Sequence, residues 1–179
     1  MRGPARMKAV ALVAVLSVAV LALLAGSSHD VTDAAIKKRF LKHRADFEKL
    51  VKIAEEDRHL VRIANDFTWL DTDASWPRKD VGISQERWNE YRRLFRRVGA
   101  PVGIFKDQDS DPPKIFFPIF SRGLVPYGDD FGVVYSPAVP APLVKSLDQK
   151  PPAELYDKKG HILVYWPIAE HWYKYYEAW

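Results

Sequence analysis

Hydrophobic residues recur with the period of an α-helix in two segments of the chain. In the first, apolar positions follow one another at steps of four and three residues, which predicts one amphipathic helix over residues 33–56, capped by Thr32 or Asp30. The second predicted helix runs from Ser84, a good N-cap, to Gly99, a typical residue for ending a helix. The apolar stripes of these helices are Ile36, Phe40, His43, Phe47, Leu50 and Ala54, followed by Trp88, Tyr91, Leu94, Phe95 and Val98.

The pattern changes after Gly99. Eleven of the 13 prolines lie beyond residue 100, which excludes long helices there. Short apolar runs between turn-rich stretches predict strands, and residues 60–70 predict a further extended segment before a loop at 71–82. We therefore expect an α+β fold with two amphipathic helices packed on an antiparallel meander sheet of about five strands. The five predicted strands lie within residues 102–105, 115–120, 131–135, 162–166 and 171–176.

The first 28 residues have the pattern of a secretory signal. Arg2, Arg6 and Lys8 precede an apolar run over residues 9–25, and small residues follow it. This run of 17 residues is short for a membrane span, which usually needs about 20. We expect residues 1–28 to be a cleaved signal peptide and residues 29–179 to form a single α+β domain that is periplasmic or secreted. The alternative is an uncleaved anchor at residues 9–25, which would be the domain's only contact with the membrane.

The composition of the chain excludes several classes of function. Removal of the three basic residues in segment 1–28 would lower the formal charge from +4 to +1, so the domain lacks the bulk charge that favours nucleic-acid binding. The chain has no cysteine, which excludes disulfides, a thiol nucleophile and a Cys-ligated metal. No serine lies in a G-x-S-x-G motif, no glycine-rich phosphate loop occurs, and no two histidines have the H-x-x-x-H spacing. These absences favour a non-catalytic protein without a cofactor or metal.

Two acidic segments and one basic segment are weaker candidates. Asp107, Asp109 and Asp111 alternate as in a calcium loop, but prolines replace the required glycine, so we expect a hairpin loop. Asp129 and Asp130 precede a strand and are either an ordinary turn or an acid/base pair, with Arg122 as an ion-pair partner. The five arginines of the second helix, between residues 87 and 97, could meet phosphate, lipid headgroups or an acidic glycan, although a solvated helix face is the simpler interpretation.

The C-terminus is unusually aromatic, since seven of the last 15 residues are aromatic. Alternation along the last strand places Tyr173 and Tyr175 on one face and Trp172, Lys174 and Tyr176 on the other. Only one face can pack on the helices, so the other is either covered or exposed as a binding surface for an envelope glycan, a peptide or a protein partner. The candidate binding residues are Trp166, Trp172, Tyr173, Tyr175, Tyr176, Asp129 and Asp130.

Three functions are consistent with these patterns. The first is a non-catalytic binding or envelope-associated module that uses the aromatic C-terminal hairpin. The second is a small envelope hydrolase in which Asp129, Asp130 and a histidine such as His161 meet in a cleft. The third is a membrane-tethered scaffold that retains residues 9–25 as an anchor.

Overall fold

Three α-helices precede most of the sheet in the computed structural model, which describes residues 32–70, 82–107, 110–124 and 127–179. They are α1 (Asp33–Lys42), α2 (Arg44–Glu56) and α3 (Gln85–Val98). The predicted signal segment and most of the predicted loop at 71–82 lie outside the described residues. No helix within the described ranges is long and apolar enough to cross a membrane.

The single helix predicted over residues 33–56 is in fact two helices. The chain leaves helical geometry at His43, which has φ −118° and ψ 22° and ends α1 while it begins α2. The break lets the two halves follow different neighbours, since α1 packs on the sheet and α2 packs on α3. The predicted stripe is buried on both sides of the break, whereas His43 itself is only half-buried, 3.6 Å from the carboxylate of Asp46.

The structure confirms the predicted helix between Ser84 and Gly99, which is α3. The Ser84 hydroxyl accepts a hydrogen bond from the amide of Arg87, and Gly99 ends the helix with φ 72°, a left-handed conformation that glycine adopts without strain. All five predicted stripe residues are buried in the core.

The sheet contains seven described strands instead of about five, and all neighbouring strands are antiparallel. The residues after α2 form a two-stranded hairpin, which adds two strands to the five predicted ones. The strand order is β2-β1-β3-β4-β5-β7-β6. The strands are β1 (Leu60–Ile63), β2 (Thr68–Leu70), β3 (Ile104–Asp107), β4 (Lys114–Leu124), β5 (Tyr127–Tyr135), β6 (Ile162–Ala169) and β7 (Trp172–Ala178).

The expected meander is wrong at its end, because β7 lies between β5 and β6. The long segment after β5 carries the chain past the sheet, so that β6 forms at the outside and β7 returns into the gap. Part of this segment covers the outer edge of β6, where the amide of Val144 donates to the carbonyl of Tyr165 over 2.8 Å. This bond occupies the backbone carbonyl of Tyr165, which would otherwise be open to pairing with another strand.

The main core lies between the helices and one face of the sheet, which we call the helix-covered face. Trp172 of β7 is central to it, with ring-centroid distances of 4.9 Å to Phe40 and 5.9 Å to Phe117. Two buried lysines on this face have polar partners. Lys106 donates to the carbonyls of Ala54 and Asp57 at the end of α2, and Lys174 binds the carboxylate of Asp33 in α1 over 2.8 Å.

Candidate functional site

The opposite face of the sheet, which we call the inner face, carries a second buried cluster made largely of aromatic rings. The rings of Phe105 and Phe116 are stacked with centroids 4.6 Å apart, and Tyr175 meets Phe116 edge-on at 4.9 Å. Its residues come from β3, β4, β5, β7 and β6, which are neighbours in the sheet, and no helix residue belongs to it. Its members are Phe105, Phe116, Val134, Leu163, Tyr165, Tyr173 and Tyr175.

The sheet curls toward this inner face, since Phe116 on β4 and Tyr175 on β7 are two strand positions apart and yet have ring centroids within 4.9 Å of each other. Arg62 on β1 and Tyr175 on β7 are four strand positions apart, which in a flat sheet would separate them by about 19 Å. The two side chains are nevertheless close enough for the charge of Arg62 to act on the pKa of Tyr175. Asp107 on β3 likewise raises the pKa of Tyr165 on β6, although burial contributes more. Charged groups of β1 and β3 therefore lie close enough to act on tyrosines of β7 and β6 in the aromatic cluster.

Tyr175 is the most unusual member of the cluster. Its side chain is 0% exposed, and its hydroxyl has no hydrogen-bond partner among the described residues. Burial raises the pKa of this phenol well above its ordinary value, so the group stays protonated and remains a donor. Gly132 lies opposite Tyr175 on β5, and a Cβ there would approach the ring to 2.8 Å, so the glycine makes room for it. A buried hydroxyl without a partner is costly, which makes this atom a candidate for ligand contact.

A pair of carboxyl groups lies beside Tyr175 on the same face. Asp130 of β5 is directly opposite Glu177 of β7, an arrangement that places Cβ atoms about 5 Å apart. Burial raises the pKa of Glu177, and the nearby charge of Asp130 adds to the increase. The imidazole Nε2 of His161 lies 3.1 Å from Oε1 of Glu177 and opposes this shift. All three side chains are half-buried, so they are accessible from solvent.

Arg62 supplies the positive charge of the inner face. One of its guanidinium nitrogens donates to the carbonyl of Val102 over 2.9 Å, and the group stacks over the Phe105 ring at 5.5 Å. Burial lowers the pKa of Arg62, while Tyr175 and Asp130 act in the opposite direction. The inner face therefore combines buried rings, one guanidinium, one hydroxyl without a partner among the described residues, and a pair of carboxyl groups.

The structure divides the predicted site residues between the two faces of the sheet. Tyr173, Tyr175 and Asp130 belong to the inner face. Trp172 lies in the helix-packed core, and Trp166 donates its indole N–H to the carbonyl of Lys145. Tyr176 packs with Phe131 at a centroid distance of 4.8 Å, on the same side as Lys174.

Asp129 and Asp130 do not converge, because adjacent residues of a strand face opposite sides of the sheet. Asp129 makes a two-pronged ion pair with Arg122, with nitrogen–oxygen distances of 3.0 and 2.7 Å, which confirms that predicted pairing. Asp130 instead meets Glu177, which sequence reasoning did not select. No local pattern marks Glu177 or Arg62, because their proximity depends on the strand order and on the curl of the sheet.

The predicted aromatic strip is covered on both sides, since Trp172, Tyr173 and Tyr175 are all buried. Among the described aromatic residues, Trp179 at 49% exposure and Phe120 are the large exposed ones. In the predicted acidic loop, Asp107 ends β3 and forms an ion pair with Lys114, while Asp109 lies outside the described residues.

Comparison with known proteins finds no family model, curated protein or solved structure that matches the chain. Within the part of the chain that the structure describes, no three histidine or carboxylate side chains are grouped as metal ligands. The inner face therefore has to be interpreted from its own chemistry.

Proposed function

We propose that the protein is an exported, non-catalytic binding module that holds a small molecule on the inner face of its sheet. The hydroxyl of Tyr175, buried without a hydrogen-bond partner among the described residues, carries this proposal. Leaving such a group without a partner costs about 1–3 kcal/mol, whereas a ligand oxygen at this position would remove the cost. Folding stability alone would favour phenylalanine here.

Export is proposed from residues 1–28, whose basic, apolar and small-residue regions follow the order of a secretory signal. The mass of the protein recovered from soluble and membrane fractions of its host tests this part. A soluble form beginning near Ser28 would support a free periplasmic or secreted domain. A full-length form in the membrane would instead favour the tethered scaffold, with residues 9–25 as its anchor.

A small ligand fits the burial pattern better than a long polymer does. Stacking along a glycan needs exposed rings, but Tyr173 and Tyr175 are covered. The remaining polar groups of the inner face come from separated strands and do not form the continuous row that a long polymer would need. Because the Tyr175 hydroxyl is buried, we propose a compact ligand that displaces neighbouring side chains to reach it, with an aromatic or aliphatic body and one oxygen acceptor, a carbonyl or a carboxylate.

Three probes separate the requirement for an apolar body from the requirement for an oxygen acceptor. Acetophenone and benzoate each combine a ring with an oxygen acceptor, whereas toluene has the ring alone. We expect the first two to shift the NMR signals of inner-face residues and to raise the melting temperature, with toluene weaker. Tyr175→Phe should reduce the advantage of the oxygen-bearing probes roughly tenfold, the value of one hydrogen bond.

Tyr91→Phe is the matched control, because Tyr91 is an equally buried tyrosine whose hydroxyl already donates to Asp57. It should lose stability without changing probe affinity. The proposal fails if none of the three probes binds, or if Tyr175→Phe binds all of them as the wild type does.

A second candidate is acid/base hydrolysis, supported by Asp130, Glu177 and His161. Burial raises the pKa of Glu177, which lies opposite Asp130, and a carboxyl with a raised pKa beside a second carboxyl suits general acid/base chemistry. Hydrolysis of 4-nitrophenyl glycosides by the wild type, with a loss of about 10²–10⁴-fold in Glu177→Gln, would favour this function. Asp129→Asn is the control, because Asp129 lies on the same strand but on the other face. No hydrolysis by the wild type would leave binding as the better proposal.

A further inference from the structure

One end of the helical layer concentrates positive charge. The end of α1, the start of α2 and the end of α3 meet there, since Arg39 reaches the carbonyl of Gly99 at 3.4 Å and Arg97 reaches the carboxylate of Asp46 at 3.1 Å. We call this region the cationic end. Its charged members are Lys38, Arg39, Lys42, Arg44, Arg93, Arg96 and Arg97, against the carboxylates of Asp46 and Glu48.

Internal ion pairs use only part of this charge. Arg44 binds Glu48 over 2.7 Å, and Arg97 shares Asp46 with His43. Four exposed members, Lys38, Lys42, Arg93 and Arg96, have no ion-pair partner among the described residues. At the other end of the same helices the balance is different, because there Arg87 alone binds three carboxylates, those of Glu56, Asp57 and Glu90.

Helix stability does not account for this excess. The C-terminus of a helix has the equivalent of about half a negative charge, which one or two nearby cations offset. Here several cations have no ion-pair partner among the described residues, and their mutual repulsion is small only because they are exposed to solvent. Such a surface attracts anions, and its strength falls with salt.

An exposed leucine at the cationic end favours one kind of anionic partner over others. Leu41 is 55% exposed and lies on the outward side of α1. Lys38 is one helical turn before it, and Lys42 is the next residue along the chain. An apolar side chain among lysines suits a bilayer interface, where it enters the headgroup region while the ammonium groups meet phosphates. Arg39 of α1 reaches Gly99, the residue that ends α3, so cations of both helices lie at this one end and can meet several headgroups, which a single free phosphate could not do.

We infer that the cationic end is a docking surface for an anionic phospholipid bilayer. Its cations contact the phosphodiester groups, and Leu41 contacts the boundary with the acyl chains. The surface lies on the helical side of the sheet, whereas the proposed ligand site lies on the inner face, so each can be tested without the other.

The test is sedimentation of the full chain with vesicles of phosphatidylglycerol or of phosphatidylcholine. Any contribution of residues 9–25 to binding is the same in every sample, so the comparison is between two variants with the same change in charge. One combines Lys42→Gln, Arg93→Gln and Arg96→Gln. The control combines Lys150→Gln, Lys158→Gln and Lys159→Gln, which are exposed positions outside the helices.

Each cation near an anionic surface is worth about fivefold in affinity, so the first variant should bind phosphatidylglycerol vesicles roughly 100-fold more weakly. The control should retain most of the binding, and an ionic strength of about 1 M should abolish the difference between the two variants. Leu41→Asn should weaken binding at low and high salt alike. Equal losses in the two triple variants, or no loss in either, would overturn the inference. Displacement by inorganic phosphate at matched ionic strength would also overturn it, in favour of a site for the free anion.

Discussion

Removing the hydroxyl of Tyr175 should stabilise the protein, which is the reverse of the usual effect of Tyr→Phe at a buried position. The hydroxyl is fully buried without a partner among the described residues, and burying such a group costs about 1–3 kcal/mol. The space left by one oxygen atom costs a few tenths of a kcal/mol. The net gain is therefore about 1–2 kcal/mol, or roughly 2–6 °C in melting temperature for a domain of this size.

Tyr91 provides the opposite expectation in the same chain. It is equally buried, but its hydroxyl donates to the Asp57 carboxylate over 2.9 Å, and hydrogen bonds to charged groups are worth about 1.5–3 kcal/mol. Tyr91→Phe should lower the free energy of unfolding by about that amount. The two variants, identical in chemistry, should thus differ by about 3–4 kcal/mol in urea unfolding followed by tryptophan fluorescence. A loss of more than about 1 kcal/mol in Tyr175→Phe would refute the reasoning, because it would show that the hydroxyl already has a strong partner.

Four further changes test other parts of the structure. Lys174→Met should cost about 3–5 kcal/mol in urea unfolding, because it leaves the carboxylate of Asp33 buried without its cation; a cost below 1 kcal/mol would contradict this pairing. Burial opposes ionisation of Asp33, but hydrogen bonds outweigh it and lower the net pKa, so its stabilisation is complete above about pH 3.8 and is lost as the pH falls through the lower folded pKa. The difference in the free energy of unfolding between the wild type and Asp33→Asn should therefore narrow below pH 3.8. A difference that widens there would show that the pKa of Asp33 is raised in the folded protein. Ser84→Ala should cost about 1 kcal/mol through loss of the N-cap of α3, measured by thermal unfolding. Gly103→Ala should cost more than Ser84→Ala, since the residue has φ 82° and a Cβ would collide with the carbonyl of Ile63.

The elements set by local physics were predictable from the sequence. Helix α3 could be recognised because its cap, its apolar stripe and its terminal glycine all act within a few residues of one another. The alternation of β7 was also predictable, since successive side chains of any strand face opposite sides. The break at His43 was not, because the apolar period continues through it and only packing on different partners separates α1 from α2.

The candidate site shows the same division. Tyr173, Tyr175 and Asp130 were selected for local reasons, aromatic density and paired carboxylates. The partner assumed for Asp130 was wrong, because Asp129, its neighbour along the chain, lies on the other face of the sheet. Its partner across the strands is Glu177, and that pairing exists only because β7 enters the sheet beside β5.

By itself, the sequence determined an α+β fold without cysteine, the position of α3, the strand-forming segments and the aromatic character of the C-terminus, because each depends on spacing within a short stretch of chain. Tertiary structure alone decided that β7 lies between β5 and β6, that both sides of the aromatic strip are buried and that the sheet curls. Those features depend on contacts between residues far apart in the chain, where many arrangements satisfy the same local pattern. The meeting of Arg62, Tyr175 and Glu177 on one face is a consequence of that choice.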